Sequence, residues 1–222
     1  MPCSASIAAT FNKGLAYRVG SVIAKESKAQ NIYQNLGPGM NIHRNVLNGR
    51  HPEYLSEGPY LAGMIAGMHA KGMEDNGVGS CYKHMFCNNS DTSRKGSHSI
   101  VSERALREIY FRVFEVAIAV QKPSAVMTSY NAVNGIYPAE NADVIQKLIR
   151  GEWGIDGMVM TDWGTYDTVD AVEMVKAGNC WLTEGSKKYS RLLEQAVKEG
   201  RLSRAVLERN VRSVISTMLK RV

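Results

Sequence analysis

Residues 123–163, PSAVMTSYNAVNGIYPAENADVIQKLIRGEWGIDGMVMTDW, predict a strand, a helix and a second strand in succession. The apolar runs at residues 125–128 and 158–161 have the length of buried strands, and each ends in a β-branched threonine. Between them, residues from about 141 to 153 have the pattern of a helix. Strands joined through a helix pair in parallel, whereas antiparallel neighbours are joined by short turns. The stretch therefore predicts an α/β fold.

The same alternation extends from this unit towards both ends of the chain. The predicted strands cover about residues 32–36, 78–82, 125–128, 158–161 and 180–182. The predicted helices cover about residues 11–30, 59–75, 102–122, 141–153 and 163–177, and two more begin near residues 187 and 203. Short apolar strands alternating with helices indicate a parallel sheet that is buried on both faces. The sequence thus predicts one α/β domain with barrel-like organisation.

The composition is that of an ordinary globular domain. Of the 222 residues, 44% are hydrophobic and 22% are charged, so the chain lacks the apolar depletion that marks disorder. No apolar run approaches the roughly 20 residues that cross a bilayer, and residues 1–4 do not begin a signal peptide. We therefore expect a cytoplasmic protein that has no membrane partner.

Neither the cysteines nor the net charge indicates a metal, a disulfide or a nucleic acid. The cysteines Cys3, Cys81, Cys87 and Cys180 form no Cys-x-x-Cys pair and have no histidine at metal-ligand spacing. We expect free thiols in a reducing compartment and no bound metal. The formal charge of +6 is spread along predicted helices, among acidic and apolar residues. This pattern is typical of solvated helix faces, and we expect no nucleic-acid partner.

Polar side chains recur where the predicted strands end. The residues are Arg50, in a loop beyond one strand, Lys83 with His84, Tyr130, and Asp162 with Trp163. In a (β/α)8 barrel, the loops at the carboxyl ends of the strands form the active site. We therefore expect these side chains to lie around one pocket at that end of the sheet.

Asp162 and Trp163 have the chemistry of a sugar site. A carboxylate at the barrel mouth can act as a nucleophile, and the neighbouring indole offers a flat surface for stacking on a sugar ring. The alternative for Asp162 is that its side chain caps the next helix, a position that aspartate favours. Position along the sequence leaves both interpretations open.

The remaining candidates also have two interpretations each. Lys83 can bind a substrate hydroxyl or form a Schiff base, and His84 can donate a hydrogen bond to the same substrate. Either side chain can instead be buried and paired with backbone carbonyls or a neighbouring acid. Arg50 suits paired hydroxyls or a carboxylate, although an arginine in a polar loop is most often an ordinary surface residue. Tyr130 can donate its phenol hydrogen where a carboxylate meets a sugar.

An ordered set of short motifs makes the chain resemble glycoside hydrolase family 3 over nearly its whole length. The motifs are Leu36 to Arg44 (LGPGMNIHR), Gly49-Arg50, Glu53-Tyr54, Ser56-Glu57, Lys83-His84, Asn88-Asn89, Ser102 to Tyr110 (SERALREIY), Met127 to Asn131 (MTSYN), Thr161 to Trp163 (TDW) and the closing Asn210 to Arg212 (NVR). Each motif is short, but their order and spacing together are specific.

The resemblance implies a mechanism and roles for these residues. In the β-glucosidase branch of the family, the aspartate of the Asp-Trp pair is the nucleophile, which implies Asp162. Arg50, Lys83 and His84 then bind the sugar where cleavage occurs, and Tyr130 lies beside them. The implied activity is retaining hydrolysis of a β-linked glucoside, xyloside or oligosaccharide from the non-reducing end, without a metal or organic cofactor.

The chain also departs from the family pattern in ways that lead to further expectations. The family begins with a strand that carries an Asp-Gly-Pro segment, and its acid/base glutamate lies in a second α/β sandwich domain. We expect residues 1–222 to form a (β/α)8 TIM-barrel-like domain that lacks its first strand and this second domain. A missing domain or a homo-oligomer would then cover the open edge. The rival interpretation is a catalytically inactive sugar-binding or structural fragment.

A second branch of the family uses a different acid/base. The single-domain N-acetylhexosaminidases take it from a histidine in the loop that follows the Lys-His pair, and His98 lies in that loop. Here Cys87, Asn88 and Asn89 replace the Pro-Gly-His-Gly that this branch carries. The alternative for His98 is a solvent-exposed loop residue.

Overall fold

The computed structural model describes residues 1–220, apart from the side chain of Tyr166, and shows an α/β fold of helices packed on parallel strands. The α-helices are α1 (Ser4–Ala8), α2 (Lys13–Ala29), α3 (Pro59–Glu74), α4 (Glu103–Ala105), α5 (Arg112–Val120), α6 (Ala171–Ala177), α7 (Lys187–Lys198) and α8 (Arg204–Leu219). The strands are β1 (Cys81–Met85), β2 (His98–Ser99), β3 (Ala125–Thr128), β4 (Ala132–Val133) and β5 (Met158–Thr161).

Side-chain caps explain where several helices begin. Asn12 accepts a hydrogen bond from the Leu15 N–H at the start of α2. Ser102, Asp170, Ser186 and Ser203 cap α4, α6, α7 and α8 in the same way. Such caps satisfy N–H groups that have no partner within the helix, so they fix the first turn. The predicted helix starts near residues 102, 187 and 203 are confirmed by these contacts.

The main sheet has three parallel strands in the order β1-β3-β5. Single parallel bridges extend it on both sides, because Gln34 pairs with Gly79 and Gly39 with Lys83, and Met160 pairs with Trp181. The predicted strands at residues 32–36 and 180–182 are therefore wrong as extended strands, although both segments lie beside the sheet. Parallel segments consequently follow one another across the sheet in chain order.

The register of β1 contains a bulge at the Lys83-His84 pair. Tyr82 is paired with Val126 and Met85 with Thr128, so two residues of β1 face the single residue Met127 of β3. An extra residue bends a strand and redirects its side chains. Successive side chains of a regular strand point to opposite faces. The bulge relaxes this alternation at the two residues that the sequence marked as functional candidates.

Two features of the fold were not predicted from the sequence. Residues Leu106–Tyr110, between α4 and α5, and Asp143–Glu152 are π-helical. In addition, β2 and β4 form a separate parallel pair in which His98 aligns with Ala132. This pair joins the loop that follows β1 to the loop that follows β3.

The core occupies both faces of the sheet. On one face, the helices bury apolar side chains such as Ile65, Phe114 and Ile149 against the strands. The other face carries a smaller cluster made of Cys81, Ala125, Met127, Met158 and Met160. Burial of both faces is typical of parallel sheets and agrees with the apolar strands of the sequence. Among residues 1–220, no helix is both long and apolar enough to span a membrane.

One carboxylate joins the amino ends of two neighbouring strands. Glu74, the last residue of α3, accepts hydrogen bonds from the backbone N–H and hydroxyl of Ser80, both at 2.8 Å. It also accepts from the backbone N–H of Ser124 at 3.0 Å and from its hydroxyl at 2.9 Å. Ser80 precedes β1 and Ser124 precedes β3, so Glu74 holds both strand starts against α3.

Candidate functional site

The predicted polar residues lie together at the carboxyl ends of β1, β3 and β5. Lys83 and His84 come from the bulge of β1, and Tyr130 comes from the turn after β3. Asp162 follows β5 directly, and Arg50 reaches the same place from the loop before α3. The expected convergence of these side chains at one end of the sheet is therefore observed. Their chemical roles remain predictions.

Asp162 is buried, and its two carboxylate oxygens have different surroundings. Its side chain is 10% exposed. The Oδ1 atom accepts a hydrogen bond of 2.8 Å from the Trp163 N–H. The Oδ2 atom lies 3.3 Å from His84 Nε2, but it has no aligned hydrogen-bond donor among the described residues. Burial raises the pKa of Asp162, although the Trp163 N–H, Tyr130, Arg94 and Arg50 oppose the increase.

Trp163 and Tyr130 form the wall beside this carboxylate. The Tyr130 hydroxyl donates to the Trp163 carbonyl and also interacts with the carboxylate of Asp162. Burial, followed by the charge of Asp162, raises the pKa of Tyr130, so the phenol stays protonated. Trp163 is 42% exposed, which leaves part of this aromatic residue open to solvent beside Asp162.

Glu53 binds two of the predicted cationic residues at once. Its Oε2 accepts from Arg50 Nε at 2.7 Å, and its Oε1 lies 2.8 Å from Lys83 Nζ. Although burial raises the pKa of Glu53, the charges and hydrogen bonds of Lys83 and Arg50 outweigh it and hold the pKa below its usual range. Glu53 is therefore ionised at neutral pH and fixes the positions of both cations.

His84 is buried beside Arg50 and Asp162. Tyr54 Oη lies 3.0 Å from His84 Nδ1, and an Arg50 guanidinium nitrogen lies 3.3 Å from His84 Nε2. Burial, with the nearby charges of Lys83, Arg50 and Arg94, lowers the pKa of His84 well below its usual value. The imidazole is therefore neutral at physiological pH.

The loop between β1 and β2 covers this cluster from one side. Arg94 places its guanidinium carbon 4.6 Å from the centre of the Tyr130 ring. Its neighbour Lys95 donates to the Gly164 carbonyl at 3.0 Å and pairs with Asp167 at 2.5 Å. The β2–β4 pair anchors the other end of the loop. The loop is thus tied both to the residues that follow Asp162 and to β4.

Sequence reasoning gave no role to three side chains that build this site. Glu53 and Tyr54 were visible only as part of a family motif, and Arg94 was not marked at all. Gly39 lets the first two approach, since a Cβ there would lie 2.9 Å from Glu53 Cγ and 3.2 Å from Tyr54 Cδ1. The Gly37-Pro38-Gly39 stretch thus makes room for the glutamate.

The contacts decide between some of the alternatives that the sequence left open. Asp170, and not Asp162, caps α6. The ammonium of Lys83 is ion-paired with Glu53, which disfavours its use as a Schiff-base nucleophile. His98 is exposed in β2, with its ring 6.2 Å from that of Tyr137. Within residues 1–220, no group of three or more potential metal ligands is found.

Comparison with known sequences identifies relatives over almost the whole chain. Residues 1–217 match the model of the glycosyl hydrolase family 3 N-terminal domain. The chain is 40% identical over 217 residues to a probable beta-glucosidase J of Neosartorya fischeri, covering 97% of this chain and 25% of that protein. It is 39% identical over 229 residues to a beta-glucosidase of Ruminococcus albus, covering 99% of this chain and 24% of that protein. The chain thus spans about a quarter of the length of these curated relatives.

Solved structures show the same fold. Beta-glucosidase 3B of Thermotoga neapolitana in complex with glucose superposes with a TM-score of 0.92 at 41% identity, covering 99% of this chain and 32% of that one. The beta-glucosidase of Kluyveromyces marxianus in complex with glucose gives a TM-score of 0.94 at 35% identity, covering 99% and 26%. With a family model that covers residues 1–217 and neighbours of this similarity, the chain belongs to glycoside hydrolase family 3 and corresponds to its N-terminal domain.

Proposed function

We propose that this chain supplies the nucleophile and the sugar-binding groups of a retaining β-glucosidase-type glycoside hydrolase. The observation that carries the proposal is the state of Asp162. One oxygen is held by the Trp163 N–H, while Oδ2 is buried 3.3 Å from His84 Nε2 and has no aligned donor among the described residues. A nucleophile needs an oxygen that is oriented but not consumed by hydrogen bonds, and Asp162 Oδ2 fits this need.

The neighbouring side chains suit a sugar ring. Arg50, Lys83 and His84 can donate hydrogen bonds to adjacent hydroxyls, and the exposed face of Trp163 can stack on the ring. Several donors near one carboxylate match a ligand that presents many oxygens. The relatives are named beta-glucosidases, and both solved neighbours described above contain glucose, which supports a β-glucoside as substrate.

The general acid/base is proposed to come from outside this cluster. Besides Asp162, the cluster contains the carboxylate of Glu53. Both oxygens of Glu53 contact cations, and its pKa is lowered. Such a group does not deliver a proton at neutral pH. A retaining mechanism places the second carboxyl about 5 to 5.5 Å from the nucleophile. We propose that a further domain supplies the acid/base, since this chain spans only about a quarter of the length of its curated relatives.

The barrel architecture is part of the same proposal. Parallel segments at residues 34–39, β1, β3, β5 and Trp181 lie side by side in chain order, as in the wall of a (β/α)8 barrel. We propose that these segments form part of the wall of such a barrel. A further domain or a second copy of the chain would cover the free edge, because unpaired strand edges favour association.

The experiment uses a substrate that needs little help from an acid. General acids contribute about 10²- to 10⁴-fold, mostly for poor leaving groups. A dinitrophenyl 2-deoxy-2-fluoro-β-glucoside has a good leaving group, and its fluorine slows hydrolysis of the covalent intermediate. We expect intact-protein mass spectrometry to detect one fluoroglucosyl group after long incubation, and peptide mapping to locate it on Asp162.

The control is Asp162→Asn, which keeps the volume but removes the nucleophilic charge. Labelling that persists in this variant would show that Asp162 is not the nucleophile. Binding of glucose without any labelling of the wild-type chain would instead support the sugar-binding fragment. Efficient cellobiose hydrolysis by the chain would show that it contains its own acid/base.

A further inference from the structure

Lys95 contacts three separate parts of the chain around the residues that follow Asp162. Its Nζ donates to the Gly164 carbonyl at 3.0 Å and forms an ion pair of 2.5 Å with Asp167. The same nitrogen lies 5.6 Å from the centre of the Tyr130 ring. Lys95 itself belongs to the loop between β1 and β2. One ammonium group therefore joins this loop to the loops that follow β3 and β5.

Gly164 sets the direction of the chain directly after Trp163. Its φ of +67° lies in the left-handed region, which glycine adopts without the steric cost of a Cβ. The Gly164 N–H reaches the Thr183 carbonyl only at 3.4 Å, which is long for a hydrogen bond. Within the turn, the Asp167 N–H donates to the Gly164 carbonyl at 3.2 Å. The bond from Lys95 is shorter, and its charged donor makes it stronger. Outside its own turn, Gly164 thus has its strongest contact with Lys95.

The ring of Tyr130 connects Lys95 to Trp163 by a second route. The Tyr130 hydroxyl donates to the Trp163 carbonyl. Two cations of the loop between β1 and β2 lie over the ring, with the guanidinium carbon of Arg94 at 4.6 Å from its centre and Lys95 Nζ at 5.6 Å. A cation within about 6 Å of the centre of an aromatic ring attracts the ring. Lys95 therefore acts on the backbone around Trp163 both through Gly164 and through Tyr130.

The position of Trp163 depends on these loop contacts more than the position of Asp162 does. Trp163 is exposed and lies beyond the end of β5. Asp162 directly follows four residues of β5 that all pair with β3, so strand pairing fixes its backbone. Loss of a contact at Gly164 should therefore displace Trp163 more than Asp162.

We infer that Lys95 is a positioning residue that holds the turn after the nucleophile and so keeps Trp163 directed at the sugar. The inference deepens the proposed function and rests on it for the ligand. An aromatic residue that is already held in one orientation loses less conformational freedom when a sugar stacks on it. Lys95 should therefore contribute to sugar binding and much less to the chemical step.

The first measurement follows Trp163 in the free protein. Labelling the full chain with 5-fluorotryptophan gives one ¹⁹F NMR signal for each of Trp153, Trp163 and Trp181, and Trp163→Phe identifies the signal of Trp163. Lys95→Met removes the ammonium group but keeps a side chain of similar length. We expect this variant to shift and broaden the Trp163 signal and to leave the Trp153 signal unchanged. Lys95→Arg retains a positively charged donor and should keep the Trp163 signal close to that of the wild type.

Lys147→Met is the matched control. Lys147 forms an exposed ion pair with Asp143, so the same substitution there should leave the Trp163 signal unchanged. The second measurement is the rate of labelling by the fluoroglucoside at increasing concentration. In Lys95→Met, we expect the concentration that gives half the maximal rate to rise about 10-fold, the lower end of the cost of one lost apolar contact. The maximal rate should change far less, because Asp162 stays attached to β5.

The outcomes separate the inference from the function on which it rests. A Trp163 signal that is the same in Lys95→Met and in the wild type would overturn the role of Lys95, as would equal shifts in Lys95→Arg and Lys95→Met. A maximal labelling rate that falls as much as the half-saturating concentration rises would also overturn it, because Lys95 would then act on the nucleophile. If the Trp163 signal shifts as expected but the wild-type chain is never labelled, the inference on Lys95 stands and the proposed nucleophile fails.

Discussion

Each end of the parallel sheet is organised around one glutamate, but the two glutamates have opposite kinds of partner. At the amino end, Glu74 accepts from N–H and O–H groups of Ser80 and Ser124. At the carboxyl end, Glu53 lies between the cations of Arg50 and Lys83. Both carboxylates connect segments that are distant along the chain.

The different partners of the two glutamates indicate different roles, in folding for Glu74 and in ligand binding for Glu53. Neutral donors that precede β1 and β3 satisfy Glu74, so this cluster uses its hydrogen bonds within the protein. Around Glu53, each cation has more donors than one carboxylate can accept from. The remaining donors are available to a ligand. We therefore expect changes at Glu74 to alter stability and changes at Glu53 to alter reactivity.

The largest expected effect is on the amino end. Glu74→Ala removes the acceptor of two serines and leaves their N–H and hydroxyl groups without it. Hydrogen bonds to charged groups contribute about 1.5–3 kcal/mol each, but four bonds that share one carboxylate are not additive, so we expect the free energy of unfolding to fall by at least about 4 kcal/mol. Urea denaturation followed by circular dichroism measures this change. The fluoroglucoside labelling rate of the folded fraction should stay the same.

Glu74→Gln keeps one acceptor oxygen and should show an intermediate loss of stability. The control is Glu208→Gln, which removes an exposed ion pair with Arg204 and should change stability by less than about 1 kcal/mol. A Glu74→Ala variant as stable as the wild type would refute the structural role of the amino-end glutamate.

The second prediction concerns the loss of stability at acidic pH. The buried histidine that causes this loss lies in α3. His69 of α3 is buried, its ring nitrogens have no described partner, and burial lowers its pKa to about 4. The unfolded chain, with a histidine pKa near 6.5, therefore binds the proton first. We expect stability to fall by about 3 kcal/mol as the pH falls from about 6.5 to about 4.

The measurement is a series of urea titrations between these pH values. His69→Leu should flatten the profile without abolishing its slope, because His84 has a lowered pKa with the same sign. His98→Gln, a change at an exposed histidine, should leave the profile unchanged. An unaltered slope in His69→Leu would assign the acid sensitivity to the carboxyl end instead.

The third prediction concerns Glu53. Glu53→Gln leaves Arg50 and Lys83 without their shared anion, so the two cations should separate and lose their positions. We expect labelling by the fluoroglucoside to slow about 100-fold, which is the cost of displacing site groups by about 1 Å. Stability should fall less than in Glu74→Gln, because the glutamine can still accept a hydrogen bond and both cations keep some access to solvent. Equal losses of stability from Glu53→Gln and Glu74→Gln would remove the distinction between the two ends.

The smallest expected effect is a shift of the pH profile of labelling. Asp162 must be ionised to attack, and burial raises its pKa, so labelling should increase with pH through this raised pKa. The positive charge of Arg94 opposes the increase. Arg94→Gln should therefore move the acid limb of the profile to higher pH. A limb that moves to lower pH would show that Arg94 does not act on Asp162 through its charge.

Most of the helices and strands could be predicted because local sequence patterns indicate them. The apolar runs at residues 125–128 and 158–161 were placed correctly, and the predicted helix starts near residues 102, 187 and 203 coincide with capping serines in the structure. The edge segments at residues 32–36 and 180–182 were predicted as strands but form only single bridges. A short apolar run has the same sequence pattern whether or not it pairs along its whole length.

The polar residues at the strand ends were determined by the sequence itself, since any parallel arrangement brings Lys83, His84, Tyr130 and Asp162 to one edge. Only the tertiary structure decided what each of them touches. The bulge in β1, the approach of Glu53 and Tyr54 past Gly39, and the fold of the Arg94 loop all depend on contacts across long separations. Such contacts follow from strand register and packing in three dimensions, and periodicity along the chain does not encode them.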